Sequence, residues 1–241
     1  MSDPYLYPDV PVLRNKLEIR DAKTLDLIEA EQSRASMMLL YERGFHDFSP
    51  AGLCEIHRFL FEDVYDWAGQ YRIINIEKRE RLLGGRSVWY SSDEQIPEEL
   101  DAAFAEVHRQ PWEQLTREEF VRRLSVCFPR IWQVHPFREG NTRTVVMMMT
   151  LFVEHYGYYM DHDLLAASAG YVRDAFVMAS IDQFSEYEHL ERILLDAVCT
   201  QAPAYDESSL LATEAQEEQQ ERYRKYQKEP YIPQPHYKRE D

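Results

Sequence analysis

The chain has 241 residues, with 43 Asp and Glu against 27 Lys and Arg, a formal net charge of −16 at pH 7. That length allows one large domain, or a domain with an appendage, and a sizeable core, while the acidic balance repels a phosphate backbone and excludes broad nucleic-acid binding, leaving open a local pocket for one nucleotide. With 44% hydrophobic and 13% aromatic residues the chain is too apolar to be wholly disordered, and no apolar run reaches the ~18–20 residues that span a bilayer.

In chain order, the N-terminus Met1-Ser2-Asp3-Pro4-Tyr5 has neither the basic nor the apolar region of a secretory signal. Cys54, Cys127 and Cys199 are odd in number and far apart, with no CxxC pair, which suits reduced core thiols. Both features point to a cytoplasmic, membrane-free protein. From Leu17 to Leu40 the residues Leu25, Ile28, Met37, Met38 and Leu40 recur among charges, which predicts one helix ending before Gly44. Ser49-Pro50 is an N-cap with proline at the first helical position, followed by Leu53, Ile56, Leu60, Phe61 and Val64 at helical spacing. His57 falls on that apolar helix and is read as a core or boundary residue.

The pattern then changes to Tyr71-Arg72-Ile73-Ile74-Asn75-Ile76-Glu77, a Gly84-Gly85 turn and Ser87-Val88-Trp89-Tyr90, which predicts a small β-hairpin between helices. Helix resumes from Ile96 to Val107. Thr116 with Glu119 forms a capping-box signature for the next helix, with Phe120, Leu124, Cys127, Phe128 and Ile131 on its apolar face and a kink expected at Pro129. Another helix runs through Val145 to Tyr156 and stops at Gly157. Segments 162–180 and 186–199 supply the final two helices. From about Gln201 the composition turns to Glu, Gln, Tyr and Pro, so the domain is expected over 1–200, with a polar tail over 201–241 that is partly helical, at 208–228, or disordered.

Between two apolar helices lies His135-Pro136-Phe137-Arg138-Glu139-Gly140-Asn141-Thr142-Arg143. A neutral histidine accepts a proton from a hydroxyl near pH 7, which makes His135 a candidate general base. Glu139 is a hard oxygen ligand suited to Mg²⁺. Gly140, Asn141 and Thr142 lead into a helix whose first N–H groups favour an anion, and Arg143 adds a planar fork of donors for phosphate. Base, metal ligand, anion hole and cation together are what transfer of a phosphate-bearing group to a hydroxyl requires. A short polar connection without chemistry is the competing reading of the same residue types.

This segment resembles the signature of the Fic family, His-Pro-Phe-x-Asp/Glu-Gly-Asn-Gly-Arg-x-x-Arg. Further similarity extends over most of residues 10–199, including Asn15-Lys16-Leu17 and Phe61-Glu62-Asp63-Val64-Tyr65-Asp66-Trp67-Ala68-Gly69. The resemblance implies an all-α domain, a helical bundle with a β-hairpin flap, that transfers AMP from Mg-ATP to a Ser, Thr or Tyr hydroxyl of a target protein. It makes His135 the general base and Glu139 the Mg²⁺ ligand, with Phe137 an anchor for the loop. Gly140, Asn141 and Thr142 shape the anion hole, the Asn141 side chain lies on a phosphate oxygen, and Arg143 neutralises the β-phosphate. The region 72–90 corresponds to the flap that pairs with an extended target segment, and Lys78 at its turn is a candidate nucleotide contact.

Two positions depart from the signature. The second glycine is Thr142, which calls for a helical backbone there, and the second arginine, which in the family reaches the terminal phosphate, is Val146. Gly140-Asn141 separates the chain from the kinase-like Doc branch and favours adenylylation over phosphorylation. The family's internal inhibitory motif has no full copy here, the nearest being Thr213-Glu214-Ala215-Gln216-Glu217-Glu218, so a separate inhibitory chain or the tail is the expected restraint. Toxin, housekeeping and effector roles all fit. Transfer of another phosphate-containing group, or a silent nucleotide-binding module, are the alternatives.

Overall fold

The computed structural model describes residues 3–201, 221 and 223–227. Most of the expected tail helix at 208–228 and the whole Thr213–Glu218 segment lie outside the described residues. The described chain is helical: α1 (Ala22–Arg43), α2 (Pro50–Phe61), α3 (Ile96–His108), α4 (Arg117–Val134), α5 (Asn141–His155), α6 (His162–Ala167), α7 (Ala169–Met178) and α8 (Glu188–Ala197). It divides into two compact units, one of residues 1–76, 90–109 and 131–152, the other of residues 77–89, 110–130 and 153–241. Among the described residues no helix is long and apolar enough to cross a membrane.

In the first unit α1 starts at Ala22 instead of Leu17. Asn15 closes the preceding residues into a loop, donating to the Leu13 and Ile19 carbonyls at 2.9 and 2.8 Å, and Asp21 caps the helix by accepting the Thr24 N–H at 2.8 Å. Ser49 caps α2 as expected, its hydroxyl accepting from Gly52 N at 3.2 Å. Only glycine fits at position 52, where a Cβ would lie 1.8 Å from the Asp47 carbonyl oxygen. The core of this unit contains an aromatic cluster: Tyr65 stacks on Trp67 at 4.3 Å between ring centres, and His57 on Phe137 at 3.8 Å.

In the second unit the capping box forms, with Thr116 N donating to the Glu119 carboxylate at 2.9 Å and Glu119 N to the Thr116 hydroxyl at 3.3 Å. Pro129 lies inside α4, which runs from Arg117 to Val134 without a break. The expected single helix over 162–180 is two, because Ser168 (φ −111°, ψ 21°) leaves helical geometry between α6 and α7. Two short strands, β1 (Tyr159–Met160) and β2 (Val198–Cys199), pair antiparallel with Tyr159 opposite Cys199. The helical residues 223–227 return to this unit: Tyr226 is buried and donates to Asp196 at 2.6 Å, and Tyr223 donates to Asp161 at 3.1 Å.

The fold class is all-α, but the strands expected at 71–77 and 87–90 are extended segments without a ladder. Their backbone groups are engaged elsewhere. Lys78 N donates to the Ser87 hydroxyl at 3.1 Å, Glu80 N to the Arg86 carbonyl at 2.9 Å and Gly85 N back to the Glu80 carbonyl at 2.9 Å, closing a 3₁₀ turn over Arg81–Leu83. A side-chain hydroxyl thus takes a donor that a ladder would use. In the first unit, Arg72 N donates to the Pro136 carbonyl at 2.8 Å and Ile73 N to the Tyr5 hydroxyl at 3.1 Å.

Candidate active site

The loop from His135 to Gly140 joins α4 to α5 in the first unit, and its shape follows from residues that fix its backbone. Gly140 has φ +81°, and a Cβ there would come within 2.5 Å of the Phe61 ring, so glycine is required twice over. Phe137 is fully buried. The Asn141 carboxamide clamps it from both sides, accepting from Phe137 N at 2.9 Å and donating to the Phe137 carbonyl at 2.8 Å. The side chain expected on a phosphate oxygen is therefore first a brace of the loop, leaving its second amide hydrogen and its backbone N–H for an anion.

His135 has φ +51°, a left-handed backbone that costs a non-glycine residue about 1–2 kcal/mol. Its ring packs against Tyr90 at 4.0 Å and edge-on to Trp132 at 5.0 Å. Nδ1 lies 3.2 Å from the Trp132 carbonyl oxygen. A carbonyl only accepts, so Nδ1 carries the proton and Nε2 carries the lone pair that a general base needs. The His135 carbonyl in turn accepts from Arg72 Nε at 2.9 Å.

Glu139 is partly exposed, and its Oε1 accepts from Gly140 N at 3.1 Å. Its carbonyl oxygen is held 3.0 Å from Nε2 of His57, whose Nδ1 accepts from Gly69 N at 2.8 Å. Burial pushes the His57 pKa down to about 3, keeping it a neutral bridge between α2 and the loop. The core role expected for His57 holds, and the same ring also supports the candidate metal ligand.

Thr142 lies in the first turn of α5 with helical backbone, as its side chain requires, and its hydroxyl accepts from Trp132 Nε1 at 2.9 Å. Arg143 points onto α1: Nη1 donates to Ser33 Oγ at 3.0 Å, Nη2 bonds the Glu29 carboxylate, and the guanidinium lies 4.8 Å from the centre of the Phe61 ring. Glu29 also accepts from the Tyr65 hydroxyl, whose pKa burial, and then the Glu29 charge, raise above the ordinary value. Arg138, at the variable position of the signature, is paired with Asp3 at 2.7 Å. Lys78 belongs to the second unit, where its backbone N–H bonds Ser87.

Residues 47–153 match the profile of the Fic/DOC family. The chain is 35% identical over 167 residues to a Sinorhizobium fredii protein named "Probable protein adenylyltransferase y4lH", an alignment covering 68% of this chain and 82% of that one. The chain belongs to the Fic/DOC family. Similarity to the protein adenylyltransferase VbhT of Bartonella schoenbuchensis is 29% over 187 residues, covering 76% of this chain but 36% of that longer protein. Among solved structures, BepC of Bartonella tribocorum with bound AMPPNP shares the fold at a TM-score of 0.70 and 22% identity, covering 82% of this chain and 97% of that one.

In this chain His135, Glu139 and Gly140 lie in the loop that ends at α5, and Asn141, Thr142 and Arg143 in the first turn of α5, with the Arg143 guanidinium directed onto α1. Arg72, His57, Trp132 and Tyr90 complete the site and were not singled out as site residues in the sequence. For Arg72 a signal existed, a cation inside an otherwise apolar, β-branched run. The residues present fit an Mg-nucleotide. Among the described residues no group of three or more His, Cys, Asp or Glu could hold a metal. One partly exposed carboxylate beside a helix N-terminus suits a cation that completes its shell with phosphate oxygens and water.

Proposed function

We propose that this Fic protein is a protein adenylyltransferase that moves AMP from Mg-ATP to a Ser, Thr or Tyr hydroxyl of a target protein. The observation that carries the reading is the His135 imidazole, whose Nδ1 faces the Trp132 carbonyl at 3.2 Å, so that Nε2 is the basic nitrogen. It sits in the loop that opens α5. The names of the relatives, protein adenylyltransferases of Sinorhizobium fredii and Bartonella schoenbuchensis, support the same chemistry.

In this reading the acceptor hydroxyl gives its proton to His135 Nε2 as its oxygen attacks the α-phosphorus. The bond from that phosphorus to the bridging oxygen breaks, and pyrophosphate leaves. Positioning and fixed charge supply most of the rate. The N-terminus of α5 and the backbone of Gly140 to Thr142 receive phosphate oxygens, and Arg143, shared with Glu29 and Ser33, neutralises the β-phosphate. Glu139 would hold Mg²⁺, which supplies charge neutralisation on the phosphates. By the family resemblance, segment 72–90 corresponds to the part that receives an extended stretch of the target, and Lys78 is the residue assigned there as a nucleotide contact. Residues 1–200 form the catalytic domain and 201–241 an appended tail.

Val146 leaves the terminal phosphate without the family's second arginine, which favours testing donor and group together. The purified protein, with Mg²⁺ and either α- or γ-labelled ATP, is incubated with cell lysate, and labelled proteins are analysed by intact mass. The reading predicts label from the α position only and a mass gain of one AMP. Label from the γ position would replace it with phosphoryl transfer, and label from neither would leave a nucleotide-binding module.

A further inference from the structure

Arg72 is a fully charged side chain with almost no exposure, and its donors go to backbone. Nε reaches the His135 carbonyl at 2.9 Å, Nη1 the Ile74 carbonyl at 2.7 Å and Nη2 the Ser91 carbonyl. Its own N–H donates to the Pro136 carbonyl at 2.8 Å. No carboxylate bonds it among the described residues, and Asp93 favours its charge only through space. Burying a guanidinium without a bonded counter-ion costs several kcal/mol, and hydrogen bonds to three carbonyls repay part of that. Such a group is a poor choice for packing alone.

What it holds is specific. His135 is strained, with φ +51°, and stays so only if its neighbours over-determine it. Trp132 supplies one constraint, accepting from His135 N at 3.1 Å and facing Nδ1 at 3.2 Å. Arg72 supplies the other, on the carbonyl, while its own chain segment binds the next residue, Pro136. The two remaining guanidinium bonds, to Ile74 and Ser91, lie on the two limbs that enter and leave the segment 77–89. One planar fork therefore joins the backbone of the base to both limbs of the region proposed to receive the target. Lysine, a single ammonium on a flexible stem, cannot span three carbonyls in a plane.

We infer that Arg72 is the positioning residue of the general base, fixing His135 and registering the acceptor-binding limbs against it. This rests on the reading of His135 as base. The test uses the full chain with Arg72→Lys and Arg72→Ala, beside His135→Ala. Near-UV circular dichroism and thermal melting report folding, calorimetry with Mg-ATP reports nucleotide binding, and label transfer reports kcat.

The expected result for Arg72→Lys is a folded protein, with ATP affinity within about threefold of wild type and kcat lowered about 100-fold, the loss expected of a misplaced reacting group. In ¹⁵N-histidine spectra, with the His135 signals identified by their absence in His135→Ala, the Nδ1–H tautomer expected for wild type should give way to mixed tautomers in Arg72→Lys. A merely structural role would lower melting temperature and ATP affinity in parallel and leave that tautomer unchanged, and this would overturn the inference. So would failure of both Arg72 variants to fold, or near-normal kcat in either. Full transfer by His135→Ala would instead remove the base reading itself, whatever the Arg72 variants do.

Discussion

Residues 135–141 and residues 77–89 are both irregular segments, and their polar groups are engaged in different ways. In the loop, the carbonyls of His135 and Glu139 are bonded by the buried side chains of Arg72 and His57, far away in the sequence, the Pro136 carbonyl by the Arg72 backbone N–H, and the Phe137 backbone by the Asn141 side chain at the loop's own end. In the segment 77–89 the backbone N–H groups bond locally, from Lys78 to Ser87 and between Glu80, Gly85 and Arg86. Two long-range side-chain ties, the fork of Arg173 on Glu80 at 2.6 and 2.8 Å and Arg81 on Asp174 at 3.1 Å, secure it to α7. Chemistry that depends on fixed atoms belongs in a segment of the first kind. A surface that must accept a peptide is better served by the second, where few bonds must be remade when the backbone shifts.

The contrast can be broken most severely at Gly140. Gly140→Ala places a Cβ 2.5 Å from the Phe61 ring at φ +81°, and we expect about 3 kcal/mol of lost stability together with loss of transfer, read by urea unfolding and label incorporation. Asn141→Ala leaves the buried Phe137 N–H and carbonyl without their partner. Its expected cost is about 2 kcal/mol, with ATP affinity reduced, and unchanged stability would show that Asn141 is not the brace.

His57 sharpens the comparison through pH. Its folded pKa of about 3 lies below the unfolded value, so between roughly pH 6.5 and 3 the unfolded chain binds a proton that the folded chain refuses. Its contribution to stability is complete above the unfolded pKa and is lost as pH falls through that window, by at most about 1.4 kcal/mol per pH unit. His57→Gln, which can still donate toward the Glu139 carbonyl, should show a shallower loss in metal-free buffer. Equal slopes would mean that His57 is protonated in the fold.

Smaller effects are expected from the segment 77–89. Glu80→Gln weakens the Arg173 fork and should raise KM for the protein acceptor several-fold while leaving ATP affinity unchanged. A fall in ATP affinity would mean that the Glu80 fork, and not Lys78 alone, bears on nucleotide binding. Lys78→Ala should raise KM for ATP about two- to threefold, the scale of one partly exposed charge, and no change would remove Lys78 from the site.

Helices with strong caps were legible in the sequence. Ser49-Pro50 and the Thr116-Glu119 box start α2 and α4 where the residue types say they should, because cap chemistry is local. The signature segment was legible for the same reason, being contiguous. The hairpin was not, since β-branched residues state a preference for extended backbone and cannot state where the partner donors are. Tyr5, Ser87 and Pro136 took or supplied the bonds that a ladder would have used. Arg72 and His57 escaped as site residues because their roles depend on carbonyls 63 and 82 positions away. Neither carbonyl has any mark in the sequence.

The most direct test of the account is His135→Ala, measured for label transfer from α-labelled ATP and for Mg-ATP affinity on the same preparation. Removing a general base that acts on the acceptor should lower transfer by about 10²–10⁴-fold and leave nucleotide affinity within about threefold. Undiminished transfer, or loss of ATP binding in step with transfer, would contradict the assignment of His135 as the base.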